Sequence, residues 1–324
     1  MTEPLLIHVG YHKTATTWMQ RRLFVPAHGW RQVAAHAEAF AHVVAPHGLV
    51  WRPAPMQAAL AEGIAALAEG EVPVLSSEIL SGLPFEGGRD SDVHAERLAR
   101  IAPDARILIS IRSQLKILPS VYMQYVLRGG TLPWTRFFED RGELGYFGFD
   151  PAHFEYDRLV GLYQRLFGAG NVHVLTQESL QRDMDGTVAR LAAFCGNARY
   201  AGLAPGARQP AGVSYPEHAA GVLRRINHVQ ASTLNPWPVV ALGRTPGGLF
   251  RLAGAAMKRW PLAPLLGSRR PVTAHVAHRF AGVFEDSNAR LATLLPGTDL
   301  AGYPGIGRKA DRGAAAQASP AATA

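Results

Sequence analysis

Four short apolar runs, each accompanied by a stretch of helical periodicity, constrain the fold of this chain most strongly. The runs span residues 5–9, 72–76, 105–111 and 171–175. Each is short and continuous enough to be a strand buried on both faces, which is typical of parallel sheets covered by helices. Helical spacing covers residues 16–24, 55–69, 92–102, 115–127, 154–167 and 185–195. The alternation predicts an α/β fold with a P-loop-like, doubly wound parallel sheet flanked by helices.

The pattern changes beyond residue 200, where nine prolines between Pro205 and Pro271 break the chain into short pieces. We therefore expect residues 1–200 to form the α/β core and residues 201–304 to form a helical lid region of the same domain that faces a substrate. Residues 305–324 have almost nothing to bury, so this tail is expected to be disordered.

Composition limits the classes of function without selecting one. The chain has 324 residues, of which 48% are hydrophobic, and this is enough for a substantial core. Its one cysteine excludes an internal disulfide and a cysteine cluster for zinc or iron–sulfur ligation. The formal net charge of +8 favours anionic partners. No apolar run is long enough to span a membrane and the first residues lack a signal-peptide pattern, so a cytoplasmic protein is expected.

The first apolar run leads through Gly-Tyr-His-Lys-Thr-Ala-Thr-Thr, residues 10–17, into a helix. A strand-to-helix turn of this kind directs backbone N–H groups and the positive end of the helix dipole to one point. Lys13 adds a positive charge there, so the turn predicts a phosphate or phosphosulfate site. It is not a Walker A loop, because its lysine comes early and Ala15 stands where a second glycine would help. The methyl group of Ala15 requires a backbone angle that non-glycine residues tolerate, so we expect the loop to be either helical or slightly rearranged there.

A second basic motif follows the run 105–111. Arg112 comes directly after the predicted strand, and Ser120 lies eight positions later on the next predicted helix. An arginine at the end of a strand can offer two parallel hydrogen bonds to a phosphate, and a serine hydroxyl can add an uncharged donor. The motif therefore predicts a second phosphate site on a neighbouring strand.

The two motifs together resemble those of the sulfotransferases that use 3′-phosphoadenosine-5′-phosphosulfate (PAPS). The family's 5′-phosphosulfate loop, P-K-[ST]-G-T-T-W-L or H-K-T-G-T-T, is matched by Lys13, Thr14, Thr16, Thr17 and Trp18, with Ala15 at the glycine position. The family's 3′-phosphate motif, R-[DNS]-P-x-x-x-x-x-S-x-Y, is similar to residues 112–122, with Gln114 in place of proline. The resemblance covers residues 5–195 and includes a fold-marking segment in which Glu178 is expected to be structural.

The resemblance implies PAPS as co-substrate and PAP as product, with no metal required. Residues 13–18 are then implied to bind the 5′-phosphosulfate, and Arg112 and Ser120 the 3′-phosphate. Lys13 is implied to stabilise the leaving phosphate oxygen as well. In the family a late, basic, glycine-containing loop closes over the nucleotide, and residues 206–209 with Arg208 are the local analogue.

Sulfuryl transfer to a hydroxyl or amine also needs a base for the acceptor proton. The run 72–76 is followed by Ser77 and Glu78 at the carboxyl edge of the sheet, where doubly wound folds bind ligands, so Glu78 is the first candidate. Alternatively, these two residues only cap the turn that follows. His12 is the second candidate, because the neighbouring Lys13 would lower its pKa and keep it neutral. Alternation of side chains along the loop would turn His12 away from Lys13.

The acceptor is expected to be a carbohydrate or another small hydroxyl-bearing molecule, and no nucleic-acid partner is expected. Residues 237–270 mix apolar and aromatic residues with six basic ones, so they could lie on an anionic membrane or grip a lipid-linked acceptor. They could also form a helical lid that packs its apolar face on the core. Two other classes stay open: a P-loop kinase or NTPase, which would need a G-K-[ST] motif, and a non-catalytic nucleotide-binding or membrane-docking module.

Overall fold

A parallel sheet forms the centre of the computed structural model, which describes residues 3–139, 148–209, 215–259 and 268–307. Within these ranges the sheet has five strands, β1 Leu6–His8, β2 Trp30–Ala34, β3 Val72–Ser76, β4 Arg106–Ile111 and β5 Val172–Thr176. Their spatial order is β2-β3-β1-β4-β5, and every neighbouring pair is parallel. The predicted doubly wound α/β sheet is confirmed. Its centre lies at β1, where successive connections leave toward opposite edges.

Alternating strand residues divide the core between the two faces of the sheet. On β4, Ile107 and Ile109 pack into the larger hydrophobic cluster, whereas Leu108 packs into the smaller one. On β1, Ile7 and Leu6 are divided between the clusters in the same way. Because successive side chains of a strand point to opposite faces, continuous apolar runs supply both layers.

Helices cover both faces. They are α1 Thr16–Trp18, α2 His36–Ala39, α3 Ala54–Ala65, α4 Ser91–Ile101, α5 Gln114–Leu127, α6 Trp134–Phe137, α7 Tyr156–Phe167, α8 Gln177–Arg182, α9 Met184–Cys195, α10 Ala220–Ile226, α11 Gly248–Met257, α12 Pro271–Arg279 and α13 Glu285–Leu294. Two π-helical turns, Met19–Leu23 and Phe40–Val44, extend α1 and α2. Short 3₁₀ turns occur at Pro26–His28, Glu78–Ser81, Pro84–Glu86, Pro151–Phe154, Ala169–Asn171, Pro205–Arg208, Glu217–Ala219 and Asn227–Val229. Among the helices of the described ranges, none is long and apolar enough to cross a membrane.

Strand β2 is absent from the sequence prediction. It pairs only with β3, so it lies at an edge of the sheet, and Arg31 and Gln32 reach solvent in its middle. Arg31 Nε donates to Glu71 at 2.7 Å and Arg31 Nη2 donates to the other carboxylate oxygen at 3.1 Å. A half-exposed edge strand does not need a continuous apolar run, so the pattern that identified the other four strands does not appear here.

The described helices of the region 201–304 pack on the core. Helix α12 lies against α5 and helix α13 lies against α7, and Phe280, Phe284 and Leu291 are buried in the larger cluster. The boundary at residue 200 and the lid role of 201–304 stay predictions. Of the predicted disordered tail, residues 305–307 form a turn in which Ile306 packs on the core, while 308–324 lie outside the described residues. Residues 260–267 of the predicted amphipathic stretch 237–270 also lie outside them.

Candidate active site

A cavity of about 570 Å³ lies at the carboxyl edge of the sheet, a volume that suits a nucleotide-sized ligand. The segments that follow β1, β3, β4 and β5 all contribute to it, as expected for ligand binding in a doubly wound fold. Its walls are formed by His12, Lys13, Ala15, Thr16, Thr17, Trp18, Glu78, Arg112, Ser120, Gln124, Leu127, Arg128, Gln177, Leu180, Gln181, Met184, Arg208 and Gln209. The structure therefore brings together all of the predicted site residues except Thr14.

The loop after β1 contains two left-handed residues, Lys13 with φ 69° and Ala15 with φ 67°. The expectation that Ala15 would adopt an angle tolerated by non-glycine residues is therefore wrong, because the loop keeps a glycine-like conformation despite the methyl group. Such a conformation costs an alanine about 1–2 kcal/mol. Left-handed residues in a turn direct consecutive N–H groups into an anion-binding concavity, so the strained conformation is compatible with a phosphate ligand.

A buried polar network holds this loop from below. The imidazole of His8 lies 2.8 Å from the Ser76 hydroxyl and 2.9 Å from the Ser110 hydroxyl. The Thr14 hydroxyl lies 2.7 Å from Ser110 Oγ and donates to the backbone carbonyl of Tyr11 at 2.5 Å. The predicted ligand Thr14 thus faces the protein interior and leaves only its backbone N–H for a ligand.

Gly10 is required by the same network. A Cβ atom at this position would lie 2.4 Å from Ser110 Oγ and 2.6 Å from His8 Nε2. Burial lowers the pKa of His8 to about 4, with Glu78 acting in the opposite direction. The imidazole is therefore neutral at pH 7, and it links β1, β3 and β4 beneath the loop without placing a charge there.

The helical turn after the loop is joined to the late loop at residues 205–208. Trp18 Nε1 donates to the carbonyl of Ala207 at 2.6 Å, and Arg22 Nη1 donates to the carbonyl of Gly206 at 3.1 Å. Arg208, predicted as a nucleotide ligand, lines the cavity and donates to Asp185 Oδ2 at 2.6 Å. The late basic loop and the first phosphate loop therefore share one wall of the cavity.

Arg112 and Ser120 also meet, since Arg112 Nη1 donates to Ser120 Oγ at 3.3 Å. The hydroxyl of Tyr156 donates to the backbone carbonyl of Arg112 at 2.7 Å and fixes the end of β4. Gln114, which stands where the family motif has proline, is fully buried and donates to Asn288 Oδ1 at 2.8 Å. This substitution joins the start of α5 to the C-terminal helix α13 and leaves the predicted phosphate ligands at the cavity.

Both candidate bases reach the cavity. His12 and Lys13 line the same space, so the expectation that alternation would turn them apart is wrong; the left-handed angle of Lys13 interrupts the alternation. Burial lowers the pKa of His12 to about 4; Glu78 acts in the opposite direction, and Arg128, Lys13 and His36 act in the same direction as burial. His12 is thus neutral at pH 7.

The Glu78 carboxylate is ionised. Burial raises its pKa, but a backbone hydrogen bond, the neighbouring His12 and His36, and a hydrogen bond from Gln20 together leave the pKa below its ordinary value. Gln20 Nε2 donates to Glu78 Oε2 at 3.4 Å and to the carbonyl of Ser76 at 3.1 Å, which ties the carboxylate to the end of β3. At pH 7 the cavity therefore contains two groups able to accept a proton.

The charge of the walls suits an anion. Among the described residues that line the cavity, Lys13, Arg112, Arg128 and Arg208 are basic and Glu78 is the one acid. Burial lowers the pKa of Lys13, with Arg112 acting in the same direction and Glu78 in the opposite one. Concentrated positive charge at a cavity attracts anionic ligands and is relieved by them.

Two unpartnered polar atoms test whether the loop fits a phosphosulfate. Thr16 Oγ1 and His12 Nε2 are buried and have no hydrogen-bond partner among the described residues. Both belong to residues that line the cavity, and phosphate or sulfuryl oxygens are suitable partners for them. The loop therefore fits a phosphate or sulfuryl group. No group of three or more His, Cys, Asp or Glu side chains in the described ranges could hold a metal ion.

The sequence did not predict several of the residues that line the cavity. The missed residues are Gln124, Leu127, Arg128, Gln177, Leu180, Gln181, Met184 and Gln209. Most of them lie in or beside α5, α8 and α9, where ordinary helix-forming residues become part of a site only through the packing of those helices. Arg128, one residue beyond the end of α5, had no motif that would separate it from a solvated surface arginine.

The contacts of Glu178 agree with its expected structural role. Its carboxylate accepts hydrogen bonds from Ser113 N at 3.2 Å and from the Tyr303 hydroxyl at 3.3 Å, and it pairs with Lys116 at 3.6 Å. These contacts join α8, the start of α5 and the C-terminal segment. Glu178 is not among the residues that line the cavity.

Comparisons with known proteins found one family model and several solved structures that resemble this chain. Residues 91–200 match the model of the sulfotransferase family, a range that contains Arg112 and Ser120. Solved structures similar to this chain include a sulfotransferase from Alicyclobacillus acidocaldarius, with 18% identity, coverage of 85% of this chain and 100% of that chain, and a TM-score of 0.47. They also include the sulfotransferase domain from the curacin biosynthetic pathway, with 10% identity, coverage of 86% and 98%, and a TM-score of 0.39. No curated protein matches the chain in a sequence search.

Proposed function

On the premise that residues 91–200 are a sulfotransferase-family segment, we propose that this chain is a PAPS-dependent sulfotransferase. It moves a sulfuryl group from PAPS to a hydroxyl, or less readily an amine, and releases PAP. The acceptor is a carbohydrate, another small molecule or a lipid-linked molecule. The reaction takes place in the cytoplasm and requires no metal.

One observation carries this proposal. Lys13 and Arg112, which belong to two separate motifs of the sequence, line the same cavity together with Glu78. Two cationic motifs at one cavity suit a ligand with two phosphate groups on one ribose, such as a nucleoside 3′,5′-bisphosphate. A nucleotide with phosphates at one end would use only one of them. The second site, with Ser120 beside Arg112, thus distinguishes PAPS from simpler adenylates.

In this proposal, different residues bind the two phosphate-bearing positions of PAPS. The backbone N–H groups of residues 13–18 and the side chains of Thr16 and Thr17 bind the 5′-phosphosulfate at the start of α1. Arg112 and Ser120 bind the 3′-phosphate. Arg208 closes the nucleotide from the side of the late loop, which Trp18 holds through its bond to Ala207.

The chemical step needs a base and a cation. Glu78 accepts the acceptor's hydroxyl proton as the acceptor oxygen bonds to sulfur. The bond between sulfur and the phosphate oxygen breaks, and its electron pair stays on that oxygen. Lys13 stabilises the resulting negative charge, and its partial burial strengthens the interaction. Atoms and charges balance, because the proton moves to Glu78 while PAP carries away the electron pair.

Glu78 is preferred to His12 as the base because of its position and charge. It follows β3 at the carboxyl edge of the sheet, and a bond from Gln20 holds it in place. An ionised carboxylate also helps to keep Lys13 protonated, since Glu78 raises the pKa of that lysine. The pKa of His12, lowered to about 4, removes the advantage in basicity that an unperturbed histidine has over a carboxylate, so position and charge decide between the two.

Transfer of labelled sulfate from PAPS to a panel of acceptors tests the proposal. We expect Glu78→Ala to lower kcat by about 10²- to 10⁴-fold, the usual contribution of general base catalysis. PAP affinity, measured by calorimetry, should change little. His12→Ala is the matched variant at the neighbouring candidate base and should cost less in kcat. If only His12→Ala abolishes transfer while PAP still binds, the assignment of the base is wrong.

A further inference from the structure

The positive charge of this chain is concentrated in one segment. Residues 218–284 contain nine Lys and Arg residues and no Asp or Glu. The whole chain has 33 basic and 25 acidic residues, so 24 basic and 25 acidic residues remain outside the segment. The surplus charge therefore belongs to a part of the chain that the proposed nucleotide site does not use.

The same segment exposes large apolar side chains. Trp237 is 90% exposed and Val239 is fully exposed, at 103% of the reference area. Val240, Leu242, Leu249 and Leu252 are at least half or nearly half exposed. We call these six residues the apolar patch. Scattered exposed apolar residues are ordinary, but six within residues 237–252 need an explanation.

The loop that carries the patch is held in place. Leu242 N donates to the carbonyl of Val229 at 2.7 Å, and Thr245 N donates to the carbonyl of Ala231 at 2.9 Å. The side chain of Gln230 accepts from Phe250 N at 3.1 Å, which joins the loop to α11. The apolar side chains are thus presented to solvent by a bonded scaffold.

Basic residues accompany the patch. Arg244 and Arg251 are exposed, and neither forms an ion pair with another described residue. Lys258 Nζ lies 4.4 Å from the centre of the Tyr215 ring, which orders this cation without neutralising it. Apolar side chains flanked by uncompensated cations, with an exposed tryptophan among them, match the boundary between acyl chains and anionic headgroups.

We propose that the apolar patch and its flanking arginines dock the protein on an anionic lipid bilayer. An anionic bilayer satisfies both features, because its headgroups pair with the cations and its interface accepts the tryptophan and aliphatic side chains. A nucleic acid would satisfy the cations but would leave the valine and leucine side chains in water. The combination of exposed apolar side chains and unpaired cations therefore favours a membrane over a nucleic acid.

The docking surface is tied to the rim of the cavity. Leu234 N donates to the carbonyl of Arg128 at 3.2 Å, and Arg128 lines the cavity. Asn227 Nδ2 donates to the carbonyls of Val126 and Gly130, at 2.8 and 2.9 Å. A bilayer bound at the patch would lie near this rim. If the proposed function is right, the hydroxyls of membrane lipids are the acceptors within reach of the cavity. Only this assignment of the acceptor rests on the proposed function.

Vesicle sedimentation of the full chain tests the docking. We expect binding to phosphatidylcholine vesicles with about 30% phosphatidylglycerol and at least tenfold weaker binding to pure phosphatidylcholine. The paired changes W237D/V239D and R244E/R251E should each weaken binding to the anionic vesicles by tenfold or more. The matched controls L49D, at an 84% exposed leucine, and R165E, at an exposed arginine of α7, should bind like the native chain.

PAP calorimetry on the same variants shows whether each is folded, and it separates this inference from the proposed function. Loss of vesicle binding with PAP binding retained supports the docking surface. Equal binding to both kinds of vesicle, or equal loss in the control variants, would overturn it. A dimer that W237D/V239D dissociates, together with no vesicle binding by the native chain, would identify the patch as a contact between copies and overturn the proposal as well.

Discussion

The loop after β1 and the segment after β4 supply the two ends of the candidate nucleotide site by different means. The first uses a strained backbone, with left-handed angles at Lys13 and Ala15 and support from the buried His8. The second uses side chains on a regular strand-to-helix connection, where Arg112 and Ser120 meet at 3.3 Å. Where the backbone is regular, the sequence predicts the position of the ligand side chains. The conformation of a strained loop depends instead on distant residues that pack beneath it.

The two regions also differ in their proposed roles, since one acts in the chemical step and the other in nucleotide binding. Lys13 lies on the loop proposed to hold the reacting phosphosulfate, so its charge acts on the leaving oxygen in the transition state. Arg112 contacts only the 3′-phosphate in this account, so its charge acts equally in the ground and transition states. Substitutions at the two sites should therefore affect different kinetic constants.

The largest effect is expected at Lys13. Lys13→Ala should lower kcat by about 10²- to 10³-fold, because one preorganised electrostatic contact to developing charge is lost. PAP affinity should fall by a smaller factor. Steady-state kinetics and calorimetry measure the two. Lys116→Ala removes an exposed lysine paired with Glu178 and should leave kcat unchanged. An equal loss in kcat and in PAP affinity for Lys13→Ala would contradict the claim that Lys13 acts mainly in the transition state.

Arg112 is expected to affect binding. Arg112→Ala should weaken PAP by about 10- to 100-fold, the usual value of charged hydrogen bonds, and Ser120→Ala by about fivefold. Neither change should alter the affinity for adenosine 5′-monophosphate, which lacks the 3′-phosphate. Calorimetric titration with both nucleotides measures this. Equal weakening of both nucleotides would show that Arg112 is not a 3′-phosphate ligand.

The pH profile tests the charges of both regions together. The proposed base must be unprotonated to work. The pKa of Glu78 lies below its ordinary value, and the pKa of His12 lies at about 4. We therefore expect kcat/KM to be flat from about pH 6 to 8 and to fall only at more acidic pH. Lys13 must be protonated, and its lowered pKa predicts an alkaline decline below the ordinary lysine value of 10.5. A rise in kcat/KM centred near pH 6.5 would point instead to an unperturbed histidine.

The smallest effect is expected at Ala15. Ala15→Gly should raise the free energy of unfolding by about 1 kcal/mol, because glycine adopts the left-handed angle without strain. Denaturant unfolding measures the change. Ala189→Gly, at an exposed position in the middle of α9, is the opposite control and should destabilise the protein by about 1 kcal/mol. Destabilisation at both positions would mean that Ala15 is not strained in solution.

Much of the core could be predicted because burial on both faces demands apolar runs. Four strands and the helices after them lie within a few residues of their predicted positions. The edge strand β2 escaped prediction because Arg31 and Gln32 interrupt its apolar pattern. The left-handed angle of Ala15 also escaped, since local sequence favours a relaxed conformation and only the packing of Gly10 against His8 and Ser110 accounts for the loop's path.

The candidate site was predictable where residues follow strands directly. Lys13, Glu78 and Arg112 come after β1, β3 and β4, and parallel strands place such residues at one edge. Arg128 and Gln124 reach the cavity only because of the direction in which α5 leaves the sheet, which its sequence does not specify. Thr14 matched the motif yet turns inward, because the Ser110 hydroxyl offers a buried partner.

Nucleotide preference tests the central claim most directly. We predict that calorimetric titration of the native chain will give tight PAP binding that is the same with and without Mg²⁺, and much weaker binding of ATP under both conditions. That result would match two cationic sites that hold the 3′- and 5′-phosphates of one ribose. Tight binding of ATP that requires Mg²⁺, with weak binding of PAP, would contradict the account and favour a nucleotide kinase or NTPase.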